Sequence, residues 1–175
     1  MTKHMNIYLI GFMATGKSTA GKRLAAELSL RFVDLDSYIE EKSGARIADI
    51  FARAGESFFR TLERKFLAEV SRQDGQVVAC GGGIVIDPEN VRVMKATGDV
   101  VCLSASAKTI VERSKGSDRR PLLETPGERT ATVEQLLSRR ASLYAVAADT
   151  CIDTDTLSPE EVARRIIVFL GRGSA

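Results

Sequence analysis

The stretch "GFMATGKST", residues 11–19, follows the apolar run "MNIYLI", residues 5–10, and precedes a segment with helical periodicity. Gly11 and Gly16-Lys17-Ser18 fit the spacing G-x-x-x-x-G-K-[ST] of a phosphate-binding loop. The glycines allow a tight turn whose backbone N–H groups face phosphate oxygens, and a helix starting near Lys17 adds its positive N-terminal end. Lys17 then reaches the β- and γ-phosphates while the Ser18 hydroxyl holds Mg²⁺. A Gly-rich strand-to-helix turn with no ligand is the competing reading, and the flanking strand and amphipathic helix favour the loop.

Outward from this loop, apolar runs alternate with helical patterns. We expect strands at 5–10, 32–35, 76–80, 99–103 and 150–153. Helices are expected from Lys17 to Leu28, across 37–42 and 57–71, after Pro88, and at 107–114, 132–147 and 159–170. Alternation of this kind predicts right-handed crossovers and a parallel sheet with helices on both faces, an α/β class. "IYLI", "QVVAC" and "DVVCL" are nearly unbroken apolar runs, as strands covered on both faces require. Ser158, Pro159 and Glu161 supply the start signal of the last helix: a cap, a first-turn proline and a capping box.

The 175 residues suit a single domain, which at this size buries roughly 70% of its unfolded surface. Cys80, Cys102 and Cys151 each lie in or beside a strand-like run, a placement that favours buried, reduced thiols over a disulfide framework or metal cluster. No leader or membrane span is expected, and the reading is a soluble cytoplasmic protein. With 25 basic and 23 acidic residues the net charge of +2 gives no sign of nucleic-acid binding. Basic residues do cluster from Arg113 to Arg140, through Lys115, Arg119, Arg120, Arg129 and Arg139. A solvated loop and helix face explains them better, taken by themselves, than an anion site does.

A phosphate loop needs a carboxylate near its metal, and "FVDLD" offers Asp34 and Asp36 where a short strand ends. One can stand near Mg²⁺ through water and the other can take a proton from an attacking hydroxyl; alternatively, Asp36 only caps the next helix. "GESFFRTLER" presents Arg60 as a planar fork for a carboxylate, with Glu63 one turn on to hold it. Gly81-Gly82-Gly83, directly after "QVVAC", lets backbone approach a ligand. Arg120 in "DRRPLL" suits a mobile lid, and Arg140 in "SRRASLY" a fixed contact.

In this order, "GFMATGKST", "FVDLD", "IADIFARAGESFFRTLER", "VVACGGG", "RRPLL", "RRASLY" and "IDTDTLSP" resemble the shikimate kinase family over nearly the whole chain. The resemblance implies a P-loop, nucleoside monophosphate kinase-like fold with a five-stranded parallel sheet, a shikimate-binding segment at about 34–62 and a lid at about 115–127. It implies γ-phosphoryl transfer from ATP to the 3-hydroxyl of shikimate with Mg²⁺, by a monomer acting in aromatic amino-acid biosynthesis.

The family pattern assigns ATP to Gly11, Ala14, Thr15, Gly16, Lys17, Ser18 and Thr19, with Arg120 on the phosphates and Arg113 and Pro159 flanking adenine. Ser18 and Asp34 go to the metal. Asp36, Arg60, Arg140 and Gly81 to Gly83 go to shikimate, against an apolar wall of Phe51 and Phe59. Lys17, Asp36 and Arg120 are the residues implied in catalysis. Ala14 stands where the family usually has Gly, Cys80 where it has Thr or another residue, and Ser142 where Pro is frequent. Ala14 matters most, because a Cβ restricts positive φ in the loop. A gluconate kinase of the same build and a nucleotide-sensing module without transfer are the rival readings.

Overall fold

The computed structural model describes residues 5–114 and 129–171. β1 (Asn6–Ile10) leads through the Gly-rich loop into α1 (Lys17–Glu27), followed by β2 (Arg31–Asp34), α2 (Leu35–Ser43) and α3 (Ile47–Val70). Next come β3 (Gln76–Ala79), a 3₁₀ turn (Ile84–Ile86), α4 (Pro88–Thr97) and β4 (Gly98–Ser104). α5 (Ala107–Arg113), α6 (Arg129–Ala147), β5 (Thr150–Asp153) and α7 (Pro159–Phe169) complete the chain. The five strands form one sheet in the order β2-β3-β1-β4-β5, every pair parallel. Among the described residues no helix is long and apolar enough to cross a membrane.

Alternation along the strands divides the core into two layers. Ile7, Leu9, Val77, Val101 and Leu103 face α1 and α7, where they meet Leu24, Val162 and Ile166. Tyr8, Ile10, Val78, Val100 and Cys102 face the other way, onto Leu35, Ile39, Leu67, Met94 and Tyr144. β1 is buried along its full length, because it lies mid-sheet between two helical layers. The expected class, parallel sheet and strand count hold.

Several boundaries differ, each for a physical reason. Leu35, read as the end of a strand, begins α2, because Asp34 caps that helix by accepting from Ser37 N–H at 3.1 Å. The cap is therefore Asp34, and Asp36 lies within the first turn. The segment of α3 after Gly55 answers to the helix expected at 57–71, but α3 also holds an earlier segment, from Ile47, that lies outside the expected helices. Arg46 supplies no side-chain cap there; Glu40 of α2 reaches across and accepts from Ile47 N–H at 2.9 Å. Gly55, at φ 81 and ψ 174, is non-helical and divides α3 into two helical segments across a kink, a backbone state that glycine adopts with little strain. α6 begins at Arg129 instead of 132. The last helix starts as expected, with Ser158 accepting from Glu161 N–H and the Glu161 carboxylate accepting from Ser158 N–H.

Cys80 and Cys102 are buried, but Cys151 is exposed. The apolar pattern around Cys151 misled because β5 lies at the sheet edge, where only Ile152 of the strand is buried.

Candidate active site

Sheet order assembles the site. β3 inserts between β2 and β1, so the glycines following β3 stand between the loop after β1 and the carboxylates ending β2. All three segments lie at the C-terminal edge of the strands, the rim on which ligands of open parallel sheets sit.

On the donor side, Gly16 caps α1 at φ 92, and Lys17 and Ser18 open the helix. Lys17 Nζ donates to the carbonyls of Gly11 and Phe12 at 2.8 and 2.7 Å, across the mouth of the loop. Ser18 Oγ donates to Asp34 Oδ2 at 2.6 Å. Because the other oxygen of Asp34 accepts from Ser37 N–H, the carboxylate is fixed toward Ser18. This pair of oxygen ligands fits a hard divalent cation that keeps waters and phosphates as its remaining ligands.

Ala14 has φ 60, the left-handed conformation that costs an L-residue about 1–2 kcal/mol. Ala14→Gly removes that strain but frees the unfolded chain, which returns about 0.4–1 kcal/mol. The expected net result is stabilisation on the order of 0.5 kcal/mol, seen as a higher urea midpoint at unchanged slope.

A strut missed by sequence reading supports the loop. Thr154, just past β5 and almost wholly buried, has its hydroxyl 3.1 Å from the Thr15 carbonyl and 3.0 Å from that of Ser104. Arg113, at the end of α5, donates to the Thr154 hydroxyl and carbonyl at 3.0 and 2.7 Å and to the Ala14 carbonyl at 3.4 Å. Arg113 thus borders the loop, and Pro159 opens α7 shortly after Thr154 in the chain. Thr19, the third residue of α1, is exposed, whereas Thr15 is buried and donates to the Phe12 carbonyl.

The acceptor side is built from α2, α3, the three glycines and α6. Arg60 donates to Glu63 Oε2 at 2.8 Å and to Glu56 Oε1 at 3.0 Å. Glu63 is fully buried, and its Oε1 has no hydrogen-bond partner among the described residues. Burial pushes Glu63 up to about 7 against the opposing charge of Arg60. Asp36 is raised from 3.8 to about 6, first by burial and then by the charge of Asp34, with Lys17 and Arg60 pulling it down. Asp36 therefore feels the loop lysine and the pocket arginine together.

Two of the three glycines are needed for space. A Cβ on Gly81 would lie 2.8 Å from Asp36 Oδ1 and 3.1 Å from Glu63 Oε1, and one on Gly83 would run into the Arg60 guanidinium. The Gly82 carbonyl accepts from Tyr144 Oη at 2.6 Å and from Arg140 at 3.4 Å, which fixes the peptide between Gly82 and Gly83. Arg140 also lies over the Phe12 ring at 5.6 Å, and Arg60 over Phe59 at 5.3 Å. Phe51 and Phe59 pack with ring centroids 4.9 Å apart. Tyr144 was missed because a tyrosine within a helical pattern reads as core; its hydroxyl partner lies 62 residues away in sequence. Arg120 and the segment 115–127 lie outside the described residues.

The shikimate kinase family model matches residues 13–171. A shikimate kinase of Sulfurihydrogenibium sp. is 44% identical over 167 residues, 95% of this chain and 98% of that protein. One from Thermodesulfovibrio yellowstonii is 46% identical, covering 93% of this chain and 92% of its own. Among solved structures, shikimate kinase from Acinetobacter baumannii in complex with shikimate superposes with a TM-score of 0.91 at 34% identity, covering 98% of this chain and 96% of that one.

Proposed function

Because the chain belongs to the shikimate kinase family, we propose that its site joins the γ-phosphoryl group of ATP to the 3-hydroxyl of shikimate, with Asp36 receiving the hydroxyl proton. The chain has shikimate kinase activity and is an ATP-dependent phosphotransferase of aromatic amino-acid biosynthesis. Finer roles rest on one observation above all: Asp36 lies under the combined influence of Lys17, on the donor side, and Arg60, on the acceptor side.

Arg60 and Arg140 hold the shikimate carboxylate, with Gly82 contributing backbone beside them and Phe59 and Phe51 forming the apolar wall. Asp36 orients the ring hydroxyls. As the hydroxyl oxygen bonds to the γ-phosphorus, the bond to the bridging oxygen breaks, ADP leaves and the hydroxyl proton passes to the Asp36 carboxylate. Lys17 turns from the Gly11 and Phe12 carbonyls to the β- and γ-phosphates, joined by loop amides and by Arg120 from outside the described residues. Ser18, and Asp34 through water, would hold Mg²⁺, whose charge offsets that of the phosphate oxygens. Arg113 and Pro159 flank adenine. A monomer working in the cytoplasm completes the reading.

The decisive assay follows ADP release from MgATP with shikimate, gluconate or a nucleoside monophosphate as acceptor. Release should depend on shikimate; stimulation by gluconate or a nucleotide but not by shikimate overturns the assignment. Gly83→Ala is expected to raise the shikimate KM about tenfold, equivalent to ~1.4 kcal/mol, with little change in the ATP KM. The added methyl meets the Arg60 guanidinium first.

A further inference from the structure

Away from the reaction site, Cys102 and Cys151 are direct partners in the parallel β4–β5 register. Residues paired in this way carry their side chains on the same face of the sheet, with neighbouring strands about 4.8 Å apart, inside the Cα window of a disulfide. Both thiols are free. Cys102 is 4% exposed, whereas Cys151 is exposed on the edge strand, so the pair has one accessible and one sheltered sulfur.

The pair lines a cleft of about 550 Å³ between the sheet edge and α6, walled by Leu137, Ala141, Tyr144 and Ala148. That volume falls within the range of small-molecule sites, and its walls suit an apolar or aromatic group. Interaction with the neighbouring sulfur, and then burial, raises the Cys102 thiol, while the same interaction lowers that of Cys151. A lowered, accessible thiol is the nucleophilic form, and the kinase reaction uses neither sulfur.

We propose that Cys151, with Cys102 as resolving partner, is a thiol modification site for small aromatic disulfides entering this cleft. The Cys151 thiolate attacks one sulfur of the reagent, the reagent's S–S bond breaks and one thiolate leaves, giving a mixed disulfide on Cys151. Cys102 then attacks the Cys151 sulfur as its own proton passes to the departing second thiolate. The protein loses two electrons and two protons to form the Cys102–Cys151 bridge, and the reagent is reduced to two thiols.

The test treats the reduced, full-length protein with dithiodipyridine and follows thiopyridone release, intact mass and peptide mapping. Wild type should release two thiopyridones per chain, lose two hydrogens in mass and yield the Cys102–Cys151 cross-linked peptide, with Cys80 unmodified. At neutral pH the first step should run about tenfold faster than for an unperturbed exposed cysteine. Cys102→Ala should stop at a stable mixed disulfide, and Cys151→Ser should lose the fast phase. A fast phase that survives in Cys151→Ser, a wild-type rate no higher than that of the unperturbed thiol, or a mapped product without the bridge overturns the proposal. The mapping uses wild-type protein, so the result stands even if the buried Cys102→Ala substitution unfolds the chain.

Discussion

Asp36→Asn is expected to lower kcat roughly 10²–10⁴-fold while making the ligand-free protein more stable. The amide keeps the shape of the side chain but cannot accept the hydroxyl proton. The stability gain has a separate origin. Burial and the charge of Asp34 raise the Asp36 carboxyl from 3.8 to about 6, so folding disfavours its ionised form.

The unfolded chain therefore loses this proton more readily than the folded one. The penalty is absent below the unfolded value, grows as pH rises from about 4 to about 6, and is fully present above that. Its size is on the order of 2 kcal/mol; Asn abolishes it at neutral pH, whereas in acid, where the penalty is absent, the substitution leaves stability nearly unchanged. Urea titrations at neutral and acidic pH measure the difference. In wild type, kcat/KM for shikimate should rise with pH through about 6, as the free enzyme's Asp36 ionises. An active Asp36→Asn enzyme would remove the proton-accepting role from this residue.

Lys17→Ala is expected to reduce kcat by about 10³-fold or more. In the proposed reaction the ammonium supplies the loop's side-chain charge to the transferring group, and in the ligand-free structure it donates to the Gly11 and Phe12 carbonyls. Water replaces the backbone partners after truncation, but nothing replaces the charge where it develops. A second effect separates this role from a merely structural one. Lys17 pulls the Asp36 carboxyl down against burial, so its removal should move the acid limb of the residual kcat/KM profile to higher pH. Single-turnover ADP formation across a pH series reads both effects. A profile displaced downward, or a turnover within tenfold of wild type, would contradict the assignment.

How far the sequence carried these conclusions depends on whether the governing interaction is local. The phosphate loop, the apolar strands and the cap at Ser158 were legible because a turn, a two-residue alternation and a capping box each lie within a few neighbouring residues. The start of α3 was not legible, since the acceptor for Ile47 N–H is Glu40, seven residues back on another helix. Cys151 looked like a core thiol until the strand carrying it proved to be the edge.

By itself, then, the sequence determined the elements, the loop and the residue types able to hold an acid and a triphosphate, because periodicity, capping and turn chemistry act along the chain. Only the tertiary structure decided that β3 enters between β1 and β2. That order sets Gly81 against Asp36 and Glu63, Gly83 against Arg60, and Tyr144 against the Gly82 carbonyl. The physical reason is that strand order and burial are set by how whole helices and strands share one core. Those contacts span tens of residues, and no local pattern encodes them.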